Sequence, residues 1–126
     1  VVWASTPDYS GSLQEGYAAA VEALLGLAER GEPLPGQVTF LPGAQLTPAE
    51  VEEVKGLVES FGLSCLTVPD IANALDGHID EEVSPLSTGG VPVEAVRRAG
   101  RSVATIFVRL GMSASRRPPL ERRYRR

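Results

Sequence analysis

At 126 residues and 43% hydrophobic side chains, the chain is long enough for one buried core and too short for two ordinary domains. No apolar run approaches the ~18 residues that a membrane-spanning helix needs, no signal peptide is visible, and the single Cys65 excludes an internal disulfide and points to a reducing, cytoplasmic compartment. The net charge of −4 hides a split: residues 1–96 carry 2 basic and 15 acidic side chains, whereas residues 97–126 carry 10 Arg and 1 Glu.

In chain order, Val1 to Ser5 is an apolar, strand-like run that ends at Thr6-Pro7-Asp8. It starts without Met and inside a strand pattern, as a piece of a longer polypeptide would. Tyr9-Ser10-Gly11 reads as loop. Ser12 is placed to cap a helix whose apolar face is Leu13, Tyr17, Ala20, Val21, Leu24, Leu27 and Ala28, with Glu15, Glu22 and Glu29 on the wet side and Gly31 as its stop. Glu32 to Gly36 is a Pro/Gly connector. Val38 to Leu41 is a second strand, closed by Pro42-Gly43 because proline has no N–H to give a sheet.

Thr47-Pro48-Ala49-Glu50 matches a capping box with proline at the first helical position. Val51, Val54, Leu57, Val58 and Phe61 then recur at helical spacing and predict one buried face, with Gly62 as a left-handed stop. Ser64 to Val68 is a third strand, closed by Pro69-Asp70. Residues 71–87 have no sustained period and read as a long irregular loop, of the kind that is often functional. Thr88-Gly89-Gly90 leads to a short helix, Pro92 to Ala99, stopped by Gly100, and Ser102 to Val108 is a fourth strand. The expected fold is α/β: an open, mainly parallel four-stranded sheet with flanking helices. Loops that follow parallel strands share the carboxyl edge of the sheet, where such folds place ligands.

The chemistry-bearing motifs are few. There is no G-x-G-x-x-G at the first turn and no G-x-x-x-x-G-K-[ST], so a nucleotide site of either kind is not expected. Asp76-Gly77-His78-Ile79-Asp80 offers one histidine and two aspartates, a poor zinc set, and reads as a turn with a surface histidine. Cys65, in an apolar strand, reads as a buried inert thiol, and one cysteine falls short of the about four thiolates that an iron–sulfur cluster uses. Gly89-Gly90 before a helix is an anion-friendly turn of weak specificity. No catalytic residue is expected.

Four stretches carry a resemblance: TPDYSGSLQEGYAAAVEA from Thr6, LPGAQLTPAEVEEVKGLVESFGL from Leu41, VPDIANALDGH from Val68 and SPLSTGG from Ser84. Together they resemble the nitrogenase component 1 family, over about residues 1–108. The Gly-Ser-Leu-Gln and Leu-Asp-Gly-His wording is similar to its cofactor-assembly scaffold branch more than to the nitrogenase β-subunit. The resemblance implies a Rossmann-like domain, one of three in a subunit. It implies a non-catalytic role in assembly of the iron–molybdenum cofactor, within a parent complex that carries an iron–sulfur cluster and a cofactor precursor. It implies an E-type scaffold subunit and the nitrogenase iron protein as partners. No cofactor is expected in this piece itself, because Cys65 matches no cluster ligand. From edge geometry, the candidate interface residues are Pro7, Asp8, Tyr9, Ser10, Gly11 and Ser12, then Pro42 and Gly43, then Asp76, Gly77 and His78, and finally Gly89 and Gly90.

Domain boundaries follow at 1–112 for the family-like body and 113–126 for the tail SASRRPPLERRYRR. The tail departs from the family pattern and has the composition of an Ala-rich segment read out of frame; clustered like charge without an apolar face predicts disorder. A domain of a reductase subunit, of nitrogenase β-subunit or dark protochlorophyllide reductase type, is the alternative function. A nucleic-acid-binding module using the Arg tail is a third, though nucleic acid is not the expected partner.

Overall fold

The computed structural model describes residues 1–7, 11–72 and 89–108. Their elements alternate: α1 (Leu13–Leu25), β1 (Leu34–Leu41), α2 (Pro48–Ser60), β2 (Ser64–Thr67), α3 (Val93–Arg98), a 3₁₀ turn (Ala99–Arg101) and β3 (Ser102–Phe107). The strands form one parallel sheet in the order β2-β1-β3, with Val38 opposite both Cys65 and Ala104 and Phe40 opposite both Thr67 and Ile106. The expected α/β architecture is therefore present, with three strands among the described residues rather than four.

The missing strand is Val1 to Ser5, which forms no ladder and leaves Trp3 80% exposed. A β-branched run fits a pleated, half-buried surface rather than imposing one, and these residues lie beside no strand. The opposite correction applies to Leu34-Pro35-Gly36, read as connector. Here β1 already runs, and its pairing with β3 shifts register between Leu34 and Val38, an irregularity that accommodates the turn-forming residues.

Helix ends follow local chemistry. Ser12 and Thr47 each accept from the backbone N–H three residues on, while Glu15 and Glu50 reach back to the cap backbone. Gly62, at φ +74, is the left-handed residue just past α2. Helix α1 ends at Leu25 with Gly26 as its C-cap, short of the expected Gly31. Likewise α3 tightens into a 3₁₀ turn that takes in Gly100 instead of stopping there.

Alternation along β1 sorts the core into two layers. Leu41 packs with Val21, Leu25, Ala28, Val68, Val96 and Ala99, the side covered by α1 and α3. Phe40 faces the other way, onto Val51 and Ala72, with Leu46, Val54, Cys65, Ile106 and Val108 around them. On α2 only Val51 and Val58 of the predicted face are fully buried. Leu57 and Phe61 are 59% and 74% exposed, because they lie on the Val54 flank, beyond the cover of a three-stranded sheet. On α1 it is Leu25, not Leu24, that is buried.

Candidate functional site

Sequence and topology bring the turns after β1 and β2 and the end of β3 to the carboxyl edge of the sheet. After β1 the chain turns at Pro42-Gly43, where Leu46 N–H donates to the Gly43 carbonyl at 3.1 Å. After β2, Val68 N–H donates to the Phe40 carbonyl at 2.9 Å and the chain leaves through the cis Val68–Pro69 bond. After β3, Val108 N–H donates to the Leu41 carbonyl at 3.2 Å and its carbonyl accepts from Gln45 Nε2 at 3.4 Å. Gly43 is required by this closeness: a Cβ there would stand 2.5 Å from the Val108 carbonyl oxygen.

Between the turns after β1 and β2 and the first turns of α1 and α2 lies a cavity of about 260 Å³. Prolines 42, 48 and 69 form its rigid rim, and Leu13, Leu46, Val51 and Ile71 are among its apolar walls. Among the described lining residues the one polar side chain is Tyr17, whose hydroxyl donates to the Pro42 carbonyl at 3.2 Å. Burial pushes that hydroxyl above its ordinary value of 10.0.

No charged side chain is among the described residues that line the cavity. Glu15 and Glu50 stand in the first turns of the two helices that supply its walls. The Glu50 carboxyl is held below its ordinary range by the Thr47 backbone N–H and hydroxyl, at 2.7 and 2.8 Å. Behind Pro69, Asp70 takes Lys55 Nζ at 3.1 Å, and Lys55 also reaches Glu52 at 2.7 Å. Burial draws the Lys55 pKa down, but these two carboxylates outweigh it and hold the ammonium above its ordinary value.

Of the sequence-predicted residues, Pro42 and Gly43 line the cavity. Ser12 caps the helix that contributes Leu13 and Tyr17, and Gly11 precedes it at φ +78. Pro7 is exposed and does not line the cavity. Gly89 and Gly90 are exposed before α3, also outside the lining. Asp8, Tyr9, Ser10, Asp76, Gly77 and His78 lie outside the described residues. Sequence reasoning placed Tyr17 and Val51 on buried helical faces and missed that both end at the cavity. The available signal was their position one turn inside each capping box.

The described lining of the cavity offers apolar contact and shape but no acid–base pair and no nucleophile. No three His, Cys, Asp or Glu side chains converge on a metal position among the described residues. Cys65 is half-buried rather than fully buried, and burial raises its thiol above the ordinary value, which suits the inert role expected of it. No helix of the described residues is long and apolar enough to cross a membrane.

The family model described as nitrogenase component 1 type oxidoreductase matches residues 1–125. The chain is 42% identical over 118 residues to the nitrogenase iron-molybdenum cofactor biosynthesis protein NifN of Nostoc sp., covering 93% of this chain and 27% of that protein. It is 38% identical over 119 residues to NifN of Rippkaea orientalis, covering 86% of this chain and 26% of that protein. A solved structure titled "Nitrogenase Cp1 at pH 6.5" superposes with a TM-score of 0.70 at 27% identity, over 82% of this chain and 23% of the other. The chain thus spans about a quarter of the length of the curated relatives it matches. The parallel sheet, its capped helices and these matches together show that the chain belongs to the nitrogenase component 1 type oxidoreductase family.

Proposed function

We propose that this chain is one α/β domain of a scaffold subunit on which the nitrogenase iron–molybdenum cofactor is assembled, and that it performs no chemistry itself. The carrying observation is the 42% identity to NifN across 93% of the chain. On this reading, the turns after β1 and β2 meet a neighbouring domain or an E-type scaffold subunit, and the nitrogenase iron protein acts on the assembled complex. The donor set of the described residues does not fit an iron–sulfur cluster: the cavity walls hold no thiol, imidazole or carboxylate, and Cys65 stands as a single thiol. On this reading the cluster and cofactor precursor are held by other parts of the parent complex.

A domain transplant tests the reading. Residues 1–108 would replace the matching segment of NifN in a nitrogen-fixing host, and of the nitrogenase subunit in a parallel strain. Growth on dinitrogen is expected for the first exchange and not for the second. The reverse result would assign the domain to a reductase subunit, the alternative to which the nitrogenase structural likeness points.

A further inference from the structure

We infer that Val1 to Ser5 of one copy of this chain adds as a strand to the outer edge of β3 in a second copy, so that copies join head to tail. This goes beyond the scaffold reading and does not rest on it. The acceptor is an open sheet edge. Among the described residues β3 pairs with β1 alone. Val108 N–H turns inward to the Leu41 carbonyl, so by alternation along the strand Thr105 and Phe107 turn their N–H and C=O groups outward, away from β1. A row of such groups fits one kind of neighbour, another extended strand. Native edges are commonly blunted by charge or proline, whereas Ser102–Phe107 reads SVATIF and holds neither. Val103 and Phe107 stand 54% and 38% exposed on the side of α1 and α3, and Ala104 is exposed on the other side.

The same chain carries a strand-like segment with no neighbour. Val1 to Ser5 is uncharged, forms no ladder and is exposed throughout. An ordinary connection does not bring it to its own β3. Helix α1, which follows it, lies on the same face as α3. The chain passes through α3 in going from β2 across β1 to β3, so a right-handed connection through α1 must enter β1 from the β2 side. A parallel strand 1–5 beside its own β3 would make a left-handed crossover, a hand found in about 2% of such connections. In a second copy no connection constrains it. Set parallel to that β3 with Trp3 beside Thr105, the segment brings Val1 and Ser5 beside Val103 and Phe107, and Val2 and Ala4 beside Ala104 and Ile106, so apolar side chains meet on both faces. Charge favours the same pairing. The donor segment leads into Asp8, Glu15 and Glu22 with no basic residue before Arg30, while β3 lies within residues 97–126, which carry 10 Arg and 1 Glu. Two copies meeting β3 to β3 would instead set these arginines against each other, even with Arg97 and Arg101 held by Glu29 and the Glu32 carbonyl.

The test is the oligomeric state of the full chain, by sedimentation velocity across a concentration series. A head-to-tail contact of this kind need not close on itself, so dimers and longer chains should grow with concentration. The emission of Trp3, the single tryptophan, should shift to the blue as they form. Trp3→Glu should disable the donor and Thr105→Pro the acceptor, since proline is tolerated where an edge N–H faces outward. Each variant alone should associate at least tenfold more weakly than the wild type. An equimolar mixture of the two retains one intact donor and one intact acceptor, and should form a one-to-one dimer that grows no further. Should Thr105→Pro lose the circular dichroism of the wild type, Val103→Asp, at an exposed position, serves as the acceptor variant. A wild type that stays monomeric would overturn the inference. So would self-association that survives Trp3→Glu, the signature of two β3 edges pairing or of contact elsewhere, and so would a mixture that stays monomeric.

Discussion

The two ends of the sheet are finished in different ways. At the amino end, polar groups close on one another. Gln37 Nε2 donates to Ser102 Oγ at 2.8 Å, Thr39 Oγ1 and Ser102 Oγ share a hydrogen at 2.7 Å, and Arg97 and Arg101 tie α3 and the following turn to Glu29 and Glu32. At the carboxyl end the turns after β1 and β2 border an apolar cavity whose described lining holds no charged side chain. The amino end has spent its bonding capacity internally and offers stability. The carboxyl end keeps an apolar cavity at the edge where open parallel sheets carry their sites.

The largest expected effect lies in the close approach that shapes the carboxyl end. Gly43→Val places side-chain atoms against the Val108 carbonyl, whose oxygen would be 2.5 Å from the new Cβ. Backbone cannot yield as a flexible side chain does, and overpacking of this kind costs about 3 kcal/mol. A urea midpoint lowered accordingly is expected. An unchanged midpoint would mean that the β1 and β3 turns are not held together. At the amino end, Thr39→Val keeps the shape but removes the hydroxyl that bonds Ser102 Oγ and the Ala99 carbonyl, at 2.7 and 3.4 Å. Thr39 is fully buried, so about 1.5 kcal/mol should be lost. If the two ends differ as described, Thr39→Val will leave the NMR signals of Tyr17 at the cavity unchanged.

Much of this contrast was legible in the sequence because it rests on local signals. The boxes Ser12–Glu15 and Thr47–Glu50, the stop at Gly62 and the proline ends of β1 and β2 each depend on a few neighbouring residues. What depends on the third dimension was not. Val1 to Ser5 has the composition of a strand, but a strand needs a neighbour. Leu57 and Phe61 share a helical stripe with Val58, yet periodicity gives the direction of a face and not the width of the sheet beneath it. The cavity was invisible for the same reason: Tyr17 and Val51 look like core at the level of spacing. Pro42 and Gly43 could be placed at the carboxyl edge because loop position alone marks that edge.

A smaller effect sharpens the account of the rim. Thr47→Ala should cost about 1 kcal/mol, with Thr47→Ser nearly silent, read from urea midpoints of the two variants. Equal midpoints would show that the hydroxyl, which accepts from the Glu50 N–H at 3.3 Å, is not what starts α2.

The smallest effect concerns charge alone. Thr47 donates through both its backbone N–H and its hydroxyl to Glu50 Oε2, and so holds the folded carboxyl below its ordinary 4.5. A group whose folded pKa is depressed contributes stability that is complete above the unfolded value and is lost as pH falls through the folded one. Glu50→Gln keeps a side chain able to reach the cap but removes the titration. The wild type should therefore exceed the variant at neutral pH, and the gap should close as the pH drops below about 4.5. Since the group is exposed, added salt should narrow the gap as well. Urea midpoints for both proteins between neutral and acid pH would check this. A gap that persists at acid pH would show that Glu50 acts at the start of α2 through its shape and hydrogen bonds rather than its charge.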